Sequence, residues 1–572
     1  MATRPVASER LTQRERAVIA TIFAGFVLTQ AWLIFHLNIN WDEYWFLSQV
    51  YAYRAGDLNT PFQTFHVHLF AWLPTVPASE IGQIAVGRSI AFICELLVFA
   101  VIYDITRRLF SARDALFALA AYACAGFVLA HGMSFRTDPF AAMLIIAALW
   151  LMTVPRKSFI IAMLAGLGAA LALLITIKTA LFLPAFGGAF LYRWHNRSSK
   201  CTWTSICTFF AVSALATLFF FAVGWAFHSS SLASAMPSPV AGPPSGFNHN
   251  ALTSPADAAF EKTVATPGFF PGFSYFTRWL AFGPVAGIVM LSGVALAVVQ
   301  AVKGRGAIRF VPLLFALPLA SLLFYRNAYP YFYPFILPSV AICAALFSQQ
   351  FPDPLRRMLL IILMAGGLLF QIGYYLQNDQ ITQRETARQV HQMFPTPVNY
   401  IDRNAAIPSF TKAGPFMSTW GMEGIMEKGQ PVLAPVIAQK QPPMVIANSP
   451  YLEAALDRSI PTPLVPMPAA DVRALRENYI PHWGQIWIAG KKFPPHNGVR
   501  RFTIAVSGPY TLECAGSISL DGTLHACGST ANLTAGPHMI DAPPHMQVTL
   551  RWGEHLPRPT RAPPTAPFYY GF

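Results

Sequence analysis

Two adjacent carboxylates, Asp42 and Glu43, stand in the segment NINWDEYWF among Trp41, Tyr44 and Trp45. A carboxylate at an aqueous boundary can take a proton from an acceptor hydroxyl, which makes the pair a candidate acid/base site; the competing reading is a helix cap beside an aromatic belt. The chain continues YRAGDLNTPFQTFHVHLFAWLP and so supplies Arg54, Asp57, His66 and His68. Histidines at i and i+2 share a side only in extended chain. With Asp42 they form a weak candidate set for a divalent metal ion, while hydrogen bonding to substrate or to nearby loops asks less of them.

A second group of charges follows. HGMSFRTDPF places Arg136 and Asp138 at the start of an apolar segment, where Asp before Pro also serves as a helix cap. Lys178 interrupts apolar sequence further on, as a tight turn or as a charge inside one long helix, and Arg326 and Tyr329 lie in YRNAYPYFYP. Cations gathered at one depth suit a phosphate leaving group, because charge builds on its oxygens as the bond to a sugar breaks. Taken singly, each is explained by snorkelling at a membrane interface.

These residues need a scaffold, and composition names its solvent. With 54% hydrophobic and 12% charged residues and a mean hydropathy of +0.43, the chain falls outside the soluble range, so lipid must surround much of it. Apolar runs predict about eleven membrane helices near 17–37, 84–104, 115–132, 138–154, 158–177, 179–193, 203–226, 278–302, 309–325, 332–348 and 357–376. The first run is too long for a signal-peptide core and reads as the first helix. The net charge of +14 comes from Lys and Arg in short clusters between apolar runs, which argues for cytoplasmic loops and against nucleic acid. By that asymmetry the N-terminus is cytoplasmic and the C-terminal part is exported.

The expected fold is therefore mainly α: a membrane helix bundle over 1–376, with a first outer loop at 38–83 and a long Pro/Gly/Ser-rich outer loop at 227–277. A mixed α/β region follows over 377–500, opened by an amphipathic segment, TQRETARQVHQMF. A small β-rich domain over 501–572 is read from the alternation in FTIAV, YTLEC, SISLDGTL and QVTLRW. Of seven cysteines, Cys514 and Cys527 lie in the exported part, either as a disulfide or as free core residues.

The order of these pieces resembles the GT-C superfamily of membrane glycosyltransferases, in particular bacterial relatives of protein O-mannosyltransferases, lipid A aminoarabinose transferases and lipopolysaccharide galacturonosyltransferases. The likeness rests on Asp42-Glu43 after the first helix, AGD at 55–57, RRLFSARDALFALAAY at 107–122, RTDPF at 136–140, Lys178 before a segment with Pro184, and YPYFYPFILP. It covers about 15–350. It implies transfer of a sugar from a polyprenyl-phosphate carrier to a lipid, glycan or protein acceptor on the exoplasmic face of the bacterial inner membrane. Asp42 would be the base with Glu43 beside it, Asp138 the second acidic site, and Lys178 and Arg326 the phosphate ligands. TPFQTFHVH stands where aminoarabinose transferases carry Lys-Pro-Pro, which counts against that donor.

One base and a charged cradle suffice for a single inverting displacement. A transporter or lipid-linked-sugar flippase is the alternative, and it would put polar groups at mid-membrane, where Glu95 alone stands out; a sensor with a ligand-binding exported domain is a third reading.

Overall fold

The computed structural model describes residues 12–58, 60–156, 158–197, 202–233, 269–461, 467–496 and 498–571. Up to residue 393 its α-helices in order are α1 (Gln13–His36), α2 (Trp41–Ala55), α3 (His66–Phe70), α4 (Glu80–Leu109), α5 (Ala112–Ala123), α6 (Val128–His131), α7 (Thr137–Thr153), α8 (Phe159–Ile175), α9 (Leu183–His195), α10 (Trp203–Ala233), α11 (Phe273–Phe282), α12 (Pro284–Lys303), α13 (Val311–Ala316), α14 (Phe332–Ala341), α15 (Ala344–Ser348), α16 (Pro354–Tyr375) and α17 (Ile381–Met393). The chain is a multi-pass membrane protein.

Among the described residues, five helices are long and apolar enough to cross a bilayer: α1, α4, α10, α12 and α16. Four shorter apolar helical stretches, Thr137–Thr153, Phe159–Ile175, Ala307–Leu323 and Phe332–Ala341, lie where further spans are expected, and backbone chemistry interrupts two of them. Pro312 and Pro318 break 309–325 into short helical pieces flanking α13. Pro338 lies inside α14, and the helix stops at Ala341 before restarting as α15. Between α8 and α9, Thr176 is extended and Ile177–Phe182 forms a short 3-10 turn, so Lys178 sits on a turn and not within a long helix. α10 continues to Ala233 and α11 begins at Phe273, which narrows the expected outer loop of 227–277; 234–268 lies outside the described residues.

Lipid and core faces separate along the helices. On α10, Leu215, Leu218, Phe219 and Val223 are exposed, as a membrane-facing side requires, whereas Ile206, Phe209 and Ala216 are buried. Arg357 of α16 donates to Glu15 of α1 at 2.7 Å, both side chains buried.

The C-terminal part carries β1 (Tyr400–Ile401), β2 (Met444–Ile446), β3 (Tyr479–Trp483), β4 (Ile486–Phe493), β5 (Arg500–Ile504), β6 (Gly508–Glu513), β7 (Ser517–Leu520), β8 (Thr523–Ala526), β9 (Thr530–Leu533), β10 (Gly536–Asp541) and β11 (Val548–Trp552). One sheet runs β1-β2-β4-β11-β6-β9 with β3 also on β4, and a second runs β5-β10-β7-β8. Because β11 pairs antiparallel with β4, with Leu550 opposite Lys491, the larger sheet crosses residue 500. The expected division into 377–500 and 501–572 thus falls inside a continuous hydrogen-bonded sheet. Asp521-Gly522 turns β7 into β8, both residues at positive φ, and Cys514 and Cys527 are joined as a disulfide.

This part is seated on the helix bundle. The amphipathic α17 places Gln383 against the α1–α2 connection: its Nε2 donates to the Ile39 carbonyl at 2.8 Å and the Phe568 carbonyl at 2.9 Å, and its Oε1 accepts from Ile39 N–H at 2.9 Å. The apolar core is continuous from the membrane helices through Tyr400, Met444, Ile486 and Phe568.

Candidate active site

The site begins with how α2 starts. Asn40 caps the helix, its side chain accepting from the Asp42 N–H at 3.0 Å while Glu43 accepts from the Asn40 N–H at 3.0 Å, a reciprocal capping box. Asp42 is thereby fixed in the first turn, directly after α1.

Glu43 points inward and is engaged on every side. Arg88 of α4 grips it at 2.7 and 2.6 Å, and the Phe135 N–H donates to it at 2.8 Å. Arg88 also donates to the carbonyls of Leu37 at 2.8 Å and Asn38 at 3.1 Å. Burial raises the Glu43 pKa, but Arg88 and the backbone donors outweigh it and hold the carboxyl below its usual range. The expectation that Glu43 works beside Asp42 on substrate gives way: its carboxylate ties α2, α4 and the 132–136 turn together.

Asp42 keeps a partly open side chain, 17% exposed, and pairs with Arg136. Arg136 precedes α7 and its Nε approaches Asp138 at 3.6 Å; Asp138, in the first turn of α7, pairs with Lys178 on the α8–α9 turn. Four charges from three separate segments therefore form one alternating row, Asp42–Arg136–Asp138–Lys178. Tyr331 floors it, with the Arg136 guanidinium 3.4 Å and the Lys178 ammonium 5.6 Å from its ring centre. The row leaves two buried atoms without hydrogen bonds, Arg136 Nε and Asp138 Oδ2, so its internal pairing is incomplete.

The other sequence candidates divide. Tyr329 adjoins the row, its ring stacked on Tyr331 at 5.8 Å and packed on Tyr275 at 5.1 Å. Arg326 lies on the same connection before α14, partly exposed, while the ion pairs of the row are made by Arg136 and Lys178. Arg54 and Asp57 are exposed at the far end of α2, about 18 Å along the helix axis from Asp42 by the rise per residue, so they do not join it.

His66 and His68 lie on the helix α3, not on extended chain, and so face different ways. His66 is buried against Phe46, and burial pushes it down to about 4. His68 is within 2.8 Å of His228, and burial with that neighbour lowers it to about 4 as well. The weak metal set of Asp42, His66 and His68 does not assemble, and among the described residues no three His, Cys, Asp or Glu side chains converge on a cation position.

Residues with no signal in the sequence come from the C-terminal part. The Asn404 amide donates to the Trp41 carbonyl, and the Tyr569 hydroxyl donates to Asn404 Oδ1 at 2.6 Å. The Arg403 guanidinium lies 3.9 Å from the Trp41 ring centre, and Phe416 stacks on Trp45 at 4.8 Å. The first turn of α2 is thus covered from the side opposite its own helix bundle contacts.

A model of the dolichyl-phosphate-mannose-protein mannosyltransferase family matches residues 69–225, which hold Arg88, Arg136, Asp138 and Lys178. The chain overlays the crystal structure of ArnT from Cupriavidus metallidurans bound to undecaprenyl phosphate with a TM-score of 0.50 at 14% identity, over 79% of this chain and 95% of that one. The fold is that of the GT-C membrane glycosyltransferases. The archaeal oligosaccharyltransferase AglB from Archaeoglobus fulgidus, in complex with an inhibitory peptide and a dolichol-phosphate, gives 0.50 at 10% identity, over 96% and 98% of the two chains. A structure of the A. fulgidus oligosaccharyltransferase with zinc and sulfate gives 0.52 at 10% identity, over 93% and 96%. No curated protein sequence matches the chain. The GT-C likeness thus extends through the C-terminal part, beyond the 15–350 carried by the sequence motifs.

Proposed function

We propose that the protein is a glycosyltransferase that moves a sugar from a polyprenyl-phosphate donor to an acceptor hydroxyl at the exoplasmic end of the helix bundle. The observation that carries this reading is the row Asp42–Arg136–Asp138–Lys178, assembled in a fold whose solved relatives hold undecaprenyl phosphate or dolichol-phosphate. The polyprenyl chain lies among the helices, where its burial gains little over lipid, so selectivity falls to the phosphate and sugar contacts.

In this reading Lys178 and Arg136 hold the donor phosphate and Asp138 orients them. Asp42 takes the proton of the acceptor hydroxyl as its oxygen bonds to the anomeric carbon. The bond from that carbon to the phosphate oxygen breaks with its electron pair on the phosphate, on the opposite face, so configuration inverts and polyprenyl phosphate leaves. Charge grows on the leaving oxygen beside two fixed cations, the arrangement that lowers a barrier without a covalent intermediate. Tyr329 borders this cradle from the connection before α14, which also carries Arg326.

The positive-inside asymmetry puts the row and the C-terminal part on the periplasmic side of a bacterial inner membrane, with the acceptor a glycolipid, glycan or protein. The experiment is mass spectrometry of surface glycolipids and glycoproteins from cells with wild-type protein or D42N. Loss of one sugar together with accumulation of its polyprenyl-phosphate form supports transfer; an unchanged profile with D42N, in a protein that is inserted normally, refutes it.

A further inference from the structure

The row uses its four charges on one another. Arg403, which reaches the same place from the C-terminal part, does not: among the described residues it makes no ion pair, and its Nε is shut from solvent without a hydrogen-bond partner. Its guanidinium carbon lies 3.9 Å from the Trp41 ring centre and 5.9 Å from that of Tyr569.

The seat is rigid. Asp402 accepts from the Ala405 N–H at 2.8 Å, the Ala406 N–H at 2.7 Å and Asn448 Nδ2 at 3.1 Å, winding a tight turn in which Ala405 takes φ +71°. The Arg403 N–H donates to Asn448 Oδ1 at 2.9 Å, and Asn404 is tied to the Trp41 carbonyl. Burial pulls the Arg403 pKa down, with Tyr569 and Asp42 opposing that pull, and the ring it sits over belongs to Trp41, the residue next to Asp42. A half-buried guanidinium over an indole ring offers a planar fork of donors that matches a phosphate or carboxylate.

We propose that Arg403 is a second anion site of the reaction centre, holding a phosphate or carboxylate borne by the acceptor beside the hydroxyl offered to Asp42. Donor and acceptor anions are then divided between two sides: Arg136 and Lys178 from the membrane helices, Arg403 from the C-terminal part. The inference rests on the transferase reading above.

The test uses the full chain in lipid nanodiscs. Polyprenyl phosphate is titrated first, and sn-glycerol 3-phosphate is then titrated by calorimetry with polyprenyl phosphate saturating. Wild type should bind glycerol 3-phosphate under saturation, R403Q at least tenfold more weakly, and R403K in between, while polyprenyl phosphate affinity stays within twofold in R403Q and falls in K178Q. R403K keeps the charge at the Trp41 face and, with the unfolding midpoint of each variant, separates lost binding from lost fold.

Equal glycerol 3-phosphate binding by wild type and R403Q, or none by wild type, overturns the second site. A loss of polyprenyl phosphate binding in R403Q moves Arg403 into the donor cradle and overturns it too. Should K178Q leave polyprenyl phosphate affinity unchanged, the donor cradle itself fails, while the glycerol 3-phosphate comparison still reads Arg403 by itself.

Discussion

Replacing Glu43 by Gln separates position from chemistry in a pair of carboxylates that the sequence presents as equivalent. Glu43 and Arg88 are each about 1% exposed, and Glu43 accepts from Arg88 twice, from the Phe135 N–H and from the Asn40 N–H. Gln keeps one acceptor oxygen and turns an NH2 group toward one of these donors, leaving a buried guanidinium uncompensated. Breaking a buried pair from one side costs about 3–5 kcal/mol. With an unfolding entropy of ~2.1 cal/mol/K per residue over this chain, that corresponds to a fall of about 2–4 °C in the unfolding midpoint. The assay is the midpoint of E43Q in detergent beside D42N and the double variant E43L/R88M. E43Q should unfold early, D42N should lose less because its carboxylate is partly open and Asp138 remains near Arg136, and E43L/R88M should recover part of the loss, since an apolar pair of similar volume removes both charges together. An E43Q protein with an unchanged midpoint and no transfer activity would refute the reasoning and return Glu43 to the chemistry.

D42N should lower the transfer rate by about 10²–10⁴, the range for removing a general base, with a smaller fall in the midpoint than E43Q; a loss under tenfold in single-turnover transfer speaks against Asp42 as base. K178Q should weaken polyprenyl phosphate binding and destabilise the protein, because Asp138 is buried beside it; adding D138N should restore the midpoint but not the affinity, as read by lipid titration and thermal unfolding. His391 of α17 lies 2.9 Å from Glu80, and that hydrogen bond raises its pKa above the usual value. The stability this pair adds is fully present below about pH 6.5 and is lost as pH rises through the elevated value, so cleavage of the 377–400 segment by protease should quicken from pH 6 to 8.5 in wild type and show no such step in H391Q.

How much of this was legible in the sequence follows from the range of the interactions. Asp42, Arg136, Asp138 and Lys178 are charges in apolar surroundings, so each announces itself locally, and the GT-C order of the segments orders them. Glu43 misled because its partner Arg88 lies in the next long helix and looked like one more scattered basic residue. Arg54 and Asp57 misled because proximity in a loop was assumed where α2 is a helix that carries them away from Asp42. His66 and His68 were read with a period of two, and α3 has the helical one. Prolines at 312, 318 and 338 broke spans that hydropathy, which counts only apolar residues, ran through. The sheet boundary failed for a related reason: the return of β11 onto β4 is a contact between distant residues that alternation within each strand does not encode. Arg403, Asn404 and Tyr569 were invisible for the same reason, standing in ordinary polar and aromatic context far along the chain.

In the proposed transfer the net charge held at the row changes during the step. With Asp42, Arg136, Asp138 and Lys178 alternating, the row is neutral before substrate arrives, and Tyr331 supplies a polarisable floor without adding charge. A sugar linked through phosphate to a prenyl chain is a diester with one negative charge; the departing polyprenyl phosphate is a monoester that carries up to two near neutral pH. Charge therefore grows at the cations during the step, and the same cations hold the product more tightly than the donor unless something relieves them. In the proposed transfer Asp138, buried against Lys178 and with Oδ2 making no hydrogen bond, is placed to do so: as the phosphate leaves, Lys178 falls back on Asp138 and the row closes neutral again. In this reading Asp138 thus serves product release as well as orienting the cations, which fits its burial in the first turn of α7 beside them, while the Asp42 carboxylate stays partly open.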